Sequence, residues 1–329
     1  MDQKSSRSFW WLFLIKFAIA TIVFYVWFSY NLKDTGYKPD YINDRDYIKQ
    51  IPVMEMWFSA TTWLEKDIDL LLQELLDPTH QASDIVPQDI YTQRFQSVCD
   101  ANRVICNKVL FVWDFSPYEQ LTYLSAIVRI VSQTNRFLQA AGLAWVADTL
   151  QTITLNKTWW QRRWWATRNT IVMNIDRIGS FIEFFDVFTH ELGHIVDLGV
   201  VQWVSRSQHQ AFTEFGRVVF GLDDPSIDYY SLSWRSESTR LALSRSEDFC
   251  SWYGMTNPFE DFAECFNLYM NHNAYFRSIA QNNIILTQKY NFIANILSGS
   301  YLFAANSDLQ RAQSRRVWWR PWDTTRMWQ

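Results

Sequence analysis

The segment His190-Glu191-Leu192-Gly193-His194 constrains the fold of this chain more tightly than any other. Two histidines four positions apart lie one turn apart on an α-helix, so both imidazoles project from one face, with Glu191 beside them where a metal-coordinated water would lie. The pattern is H-E-x-x-H. It predicts a helix through residue 194 that offers two nitrogen ligands to one ion. Such a helix cannot finish the site alone, because a catalytic zinc usually takes three protein ligands and leaves its fourth position to water. Some other part of the fold must therefore meet this face.

The extended H-E-x-x-H-x-x-G-x-x-H pattern would place Gly at 197 and His at 200, but the chain has Asp197 and Val200. The remaining histidines, His80, His209 and His272, stand in no recognisable motif, which leaves a carboxylate as the better third ligand. Residues 253–264 supply one. Pro258 suits the first turn of a helix and Asn257 its N-cap, so Glu260 and Glu264 fall one turn apart on a shared face. Glu260, near the helix start, can reach the metal. Glu264 can accept the second ring N–H of a ligand histidine and fix its tautomer. Asp197, within a turn of His194, could orient a ligand or cap a loop.

These residues also carry a family resemblance. His190-Glu191-Leu192-Gly193-His194-Ile195-Val196-Asp197, followed by Y-G-x-T-N-x-x-E-x-F-A-E-x-F from Tyr253 to Phe266, resembles the anthrax lethal factor and Pro-Pro endopeptidase family of zincins. The resemblance covers roughly residues 120–300, running through the helix after Glu264 to about residue 296. It implies one Zn2+ per chain held by His190, His194 and Glu260, with Glu191 as general base and Tyr253 stabilising the oxyanion. It implies an α+β, zincin-like metalloprotease domain: a long helix, a small mixed sheet, the H-E-x-x-H helix and a C-terminal helical half. H-E-x-x-H alone arises by accident on helices; the second motif at the family spacing argues against accident, and no expected catalytic residue is missing. Proline-flanked bonds occur among the family's substrates, yet nothing in these residues demands that preference.

Around the motifs, 329 residues suffice for one catalytic domain with accessory segments. The net charge of −4 offers no electrostatic footprint for nucleic acid, so no nucleic-acid partner is expected. Residues 9–30 form an apolar, aromatic run broken by Lys16 and preceded by Lys4 and Arg7. That length crosses a bilayer, and the flanking charge keeps the N-terminus cytoplasmic. The expectation is a single-pass signal anchor, a transmembrane helix in front of an extracytoplasmic catalytic domain, periplasmic or extracellular. Cleavage of the run as a signal peptide, with Lys16 closing a long n-region, would make the protein secreted instead. No clear A-x-A site follows.

The cysteines agree with export. Cys99 and Cys106 flank a short polar stretch, and Cys250 and Cys265 bracket the second motif, so two local disulfides are consistent with an oxidising compartment; buried thiols are the alternative. Residues 1–30 are read as cytoplasmic tip and anchor, 31–118 as stalk and membrane-proximal subdomain, 119–300 as catalytic domain and 301–329 as a Trp/Arg-rich tail. A helix is expected at 63–76 and a long one at 117–141, the latter with Leu121, Leu124, Ile127, Val128, Ile130, Val131 and Leu138 buried and Gly142 as its stop. Strands are expected near 152–155 and 170–176, the second either an ordinary core strand or a sheet edge open to a peptide substrate.

Two runs mix indoles with guanidiniums, Trp159 to Trp165 and Arg315 to Trp322. Both suit a membrane interface, packing or gripping of substrate. Asn156-Lys157-Thr158 is a glycosylation sequon only in a host with that machinery. The expected function is a membrane-anchored zinc endopeptidase acting on protein or peptide outside the cytoplasm. The alternatives are a non-catalytic envelope binding or scaffold protein with a structural zinc, and a secreted toxin.

Overall fold

The computed structural model describes residues 88–158, 164–201, 209–217, 220–301 and 322–326, all within the compact unit spanning residues 43–328. The expected anchor at 9–30, the helix at 63–76 and most of both Trp/Arg runs lie outside the described residues. Among the described residues no helix is long and apolar enough to cross a membrane.

The described part opens with α1 (Gln88–Ala101) and the single turn α2 (Arg103–Cys106), joined by the Cys99–Cys106 disulfide. After β1 (Val109–Val112), Ser116 caps α3 (Pro117–Ala140). The Glu119 amide donates to the Ser116 hydroxyl at 3.3 Å, and the Glu119 carboxylate accepts from the Ser116 amide at 2.8 Å, a reciprocal box that satisfies two helix-end donors. Gly142, at φ +76°, follows the helix end, a conformation that costs least without a Cβ. All seven residues expected in its apolar stripe are buried, yet burial in the middle is continuous from Leu124 to Val131 and includes Ser125 and Arg129. This helix is central rather than peripheral.

The short α4 (Val146–Thr149) leads to β2 (Thr152–Asn156), β3 (Trp164–Ala166) and β4 (Thr170–Asn174). The four strands form a mixed sheet in the order β1-β2-β4-β3. β1 and β4 both run parallel to β2, with Val109 opposite Ile153 and Thr152 opposite Thr170; β3 runs antiparallel to β4, with Trp164 opposite Met173. Parallel β1 and β2 need a long crossover, which α3 provides. Ile153, Leu155, Ile171 and Met173 alternate onto one buried face.

The open-edge reading of the strand at residue 170 is overturned. β4 is interior, because Trp164–Ala166 folds back through Thr167, whose amide donates to the Thr170 carbonyl at 2.9 Å. The turn Thr167-Arg168-Asn169 carries neither Gly nor Pro, so the usual hairpin signal is missing. The sequon is also buried. Asn156 lies inside the fold, its Oδ1 accepting from the Thr158 hydroxyl at 3.0 Å.

Beyond the sheet come α5 (Phe181–Ile195), a π-turn at Val196–Val201, α6 (Pro225–Tyr230) and the ribbon of β5 (Trp234–Ser236) and β6 (Thr239–Arg240). A helical half follows: α7 (Pro258–Asn271), α8 (Asn273–Ala280) and α9 (Ile284–Ile296). The stretch from Glu264 to residue 296 is thus three helices. The observed architecture is α+β with a small mixed sheet.

Candidate metal centre and active site

Two helices build the site. Ser180 caps α5 by accepting the Glu183 amide at 3.1 Å, and the helix runs uninterrupted through both histidines. Asn257 caps α7, its Oδ1 accepting the amides of Phe259 at 3.0 Å and Glu260 at 2.9 Å, with Pro258 in the first turn where no amide is needed. Gly193 lets the helices touch. A Cβ there would stand 3.2 Å from both Ala263 Cα and Phe266 Cδ1. The close crossing puts the first turn of α7 over the histidine face of α5.

Glu260 Oε2 consequently lies 3.1 Å from His190 Nε2 and 3.4 Å from His194 Nε2. The imidazoles are 5.1 Å apart and nearly perpendicular. One ligand atom from each of His190, His194 and Glu260 falls within 4.8 Å of the others, an arrangement that could hold a metal ion. No protein-family model, curated protein or solved structure matches the chain. The chemistry of the site must be read from its own residues.

Electrostatics favour a cation here. Burial opposes charge on His190, but its contacts with Glu260 and Glu264 outweigh burial and raise its pKa well above the ordinary value. His194 is raised in the same sense, burial opposing and Glu260 prevailing. Glu260 is held far below the carboxylate range: burial raises it, and the two histidines outweigh that. Two buried imidazoles facing the buried Glu264 and part-buried Glu260 carboxylates thus attract positive charge, of the kind a metal ion would bring.

Glu191 is buried beside the group, and its Oε2 has no hydrogen-bond partner. Burial pushes its pKa up to about 7, against the lowering influence of His190 and His194. An orphaned carboxylate oxygen at this position, next to a His-His-Glu donor set, fits a metal with a bound water. The Tyr253 ring lies 6.0 Å from that of His190. Burial, followed by the charges of Glu260 and Glu191, raises its phenol and keeps it a donor.

Glu264 is fully buried, with Oε1 2.7 Å from His190 Nδ1. The Ser251 hydroxyl donates to its Oε2, and the Ser251 oxygen accepts the Gly254 amide at 3.1 Å, which ties the Tyr253 turn to the same carboxylate. Cys250 and Cys265 are joined, clamping that turn to α7 once more. Asp197 is placed differently from a ring-orienting residue. Its Oδ1 accepts from the Ser226 hydroxyl at 2.6 Å and its Oδ2 from the Tyr230 hydroxyl at 2.5 Å, fastening the π-turn to α6. His209 and His272 have other work: His209 Nδ1 accepts the Ala211 amide at 3.2 Å, and His272 Nε2 sits 3.0 Å from Asp186 Oδ1.

Three contributors escape the sequence reading. Ser251 lies just outside the second motif, and Thr324 bonds Glu264 from 60 positions away, so neither has a local signal. The third is Glu214, half-buried, whose carboxyl is raised by burial and lowered by Arg217 and His194. It belongs to a turn in which Glu214, Phe215 and Gly216 all have positive φ (45°, 54° and 82°). Glu237 Oε2 pins that turn by accepting the amides of Thr213 and Phe215, each at 2.9 Å.

Proposed function

We propose that the chain is a zinc-dependent endopeptidase of the zincin type, working outside the cytoplasm. The observation that carries this reading is the convergence of His190, His194 and Glu260 beside a buried, partnerless Glu191 oxygen. Two imidazoles and one carboxylate are a donor set suited to catalytic zinc. When bound, zinc would acidify a water and polarise the scissile carbonyl.

The protein's own groups do the rest. Glu191, buried beside the donor set with its Oε2 unpartnered, receives a proton from the attacking water at Oε2 and returns it to the leaving amine. Tyr253, kept protonated, donates its O–H to the developing oxyanion. Glu264 fixes the His190 ring so that Nε2 faces the ligand position. A purely structural metal site would need neither Glu191 nor Tyr253. Two disulfide-linked cysteine pairs support an extracytoplasmic setting.

The decisive experiment combines zinc analysis of the purified full-length protein with cleavage profiling against a peptide library, using Glu191→Gln as control. One zinc per chain and cleavage abolished in the variant are expected. Wild-type protein that holds zinc yet matches Glu191→Gln on every peptide would overturn the proposal.

A further inference from the structure

The short stretch of residues 322–326 reaches the site from the far end of the chain. Thr324 is fully buried; its amide donates to Glu264 Oε2 at 2.7 Å and its hydroxyl lies 3.2 Å from Glu264 Oε1, while Asn267 Nδ2 donates to that hydroxyl at 2.8 Å. Two residues earlier, the Trp322 carbonyl accepts the Tyr253 amide at 2.6 Å. Two residues later, Arg326 Nε stands 3.6 Å from Glu183 Oε1 in the first turn of α5. Five residues thus touch all three elements that carry the site: α7 with Glu260 and Glu264, the turn with Tyr253, and α5 with the histidines.

We propose that residues 322–326 form a strap that positions His190 through Glu264, with Thr324 as the positioning residue. A carboxylate held only by His190 could turn about its last bond and let the imidazole turn with it. Here the Thr324 amide and the Ser251 hydroxyl occupy Oε2, and the Thr324 hydroxyl shares Oε1 with His190. Those donors fix the carboxylate plane, and the plane sets the ring through the 2.7 Å approach of Glu264 Oε1 to His190 Nδ1, which leaves Nε2 to bind metal. The strap is therefore part of the metal centre rather than a trailing end.

This inference rests on His190 being a metal ligand, so the test reads metal binding directly. Zinc affinity of the full-length protein is measured by chelator competition for wild type, Thr324→Val and Thr324→Ser. Val keeps the shape and the amide but removes the hydroxyl; Ser restores it. The expectation is roughly tenfold weaker zinc binding in Thr324→Val and near wild-type binding in Thr324→Ser. Equal affinity in all three, or equal loss in both variants, overturns the strap. Failure of the wild type to bind zinc overturns the metal reading itself. Should Thr324→Val not fold, amide hydrogen exchange of the wild type decides: zinc should slow exchange in residues 322–326 relative to α3, and unchanged exchange there overturns the proposal.

Discussion

Glu264 Oε1 stands 2.7 Å from His190 Nδ1, a fully buried carboxylate set behind the imidazole, on the side of the ring away from Nε2. Replacing it with Gln keeps the volume and removes the charge that favours Nδ1–H. Carboxylate partners of metal-bound histidines contribute about 10–100-fold in affinity. Glu264→Gln should weaken zinc binding within that range, measured by chelator competition, while circular dichroism shows the fold retained. Unaltered affinity would mean that the ring is held by other means.

Gly193 and Gly199 separate packing at the site from packing of the fold. A Cβ at Gly193 meets Ala263 Cα at 3.2 Å, a misfit of a few tenths of an ångström, and Ala offsets it by favouring helix by about 1 kcal/mol. Gly193→Ala should melt close to wild type but bind zinc less tightly, because α7 is pushed off the histidine face. At Gly199 a Cβ would stand 2.3 Å from Thr149 Cγ2 and 2.9 Å from the Arg168 carbonyl, which is backbone and cannot turn aside. Gly199→Ala should lose stability severely in urea titration. The reverse ranking in melting temperature would contradict both.

Local signals made the two site helices readable. The cap Asn257, Pro258 and the four-residue spacings act within a turn, so the start of α7 and the faces of His190, His194, Glu260 and Glu264 follow from neighbours in sequence. The meeting of the faces does not, because it depends on the close approach at Gly193. Asp197 carries no label saying whether it faces His194 or Tyr230, since a π-turn rather than a continued α-helix sets its direction. The β3 edge was masked by a run of indoles and arginines that suits several settings. Thr324 was hidden by distance along the chain alone.

The two disulfides close loops of different length, 15 residues for Cys250–Cys265 and 7 for Cys99–Cys106. Loop-closure entropy predicts losses of about 3 and about 2 kcal/mol for the paired Cys→Ala variants. Only the first clamps the segment carrying Ser251 and Tyr253 to α7. Its removal should therefore also reduce peptide cleavage, whereas removal of Cys99–Cys106 leaves cleavage intact. Urea unfolding and turnover of both double variants provide the check.

Lys289 Nζ lies 2.6 Å from Asp261 Oδ2, both side chains fully buried, with Trp234 Nε1 donating to the same oxygen at 3.0 Å. The pair joins α9 to α7 one residue beyond Glu260. Lys289→Met strands a buried carboxylate and should cost about 3–5 kcal/mol. Lys289→Met with Asp261→Asn removes the stranded charge and leaves an acceptor for Trp234, so the double variant should be more stable than the single one. A double variant as unstable as Lys289→Met would rule out charge burial as the cause.

Asp197 gives the metal-free protein a pH dependence of definite sign. Burial pushes its carboxyl up to about 7, against the Ser226 and Tyr230 hydroxyls that donate to it, from an ordinary value of 3.8. Between those values the unfolded chain has released the proton and the folded protein still binds it. Folding therefore takes up a proton, and stability falls as pH rises from about 4 to about 7, by at most on the order of 4 kcal/mol. The raised histidines also lose stability as pH rises, so the comparison must isolate Asp197. Asp197→Asn is neutral throughout, and both hydroxyls can reorient to meet its amide. Urea unfolding with chelator present should show wild type losing more stability than Asp197→Asn between pH 5 and pH 8. Equal losses would place the Asp197 carboxylate at its ordinary pKa and make the network with Ser226 and Tyr230 a stabiliser of its charge.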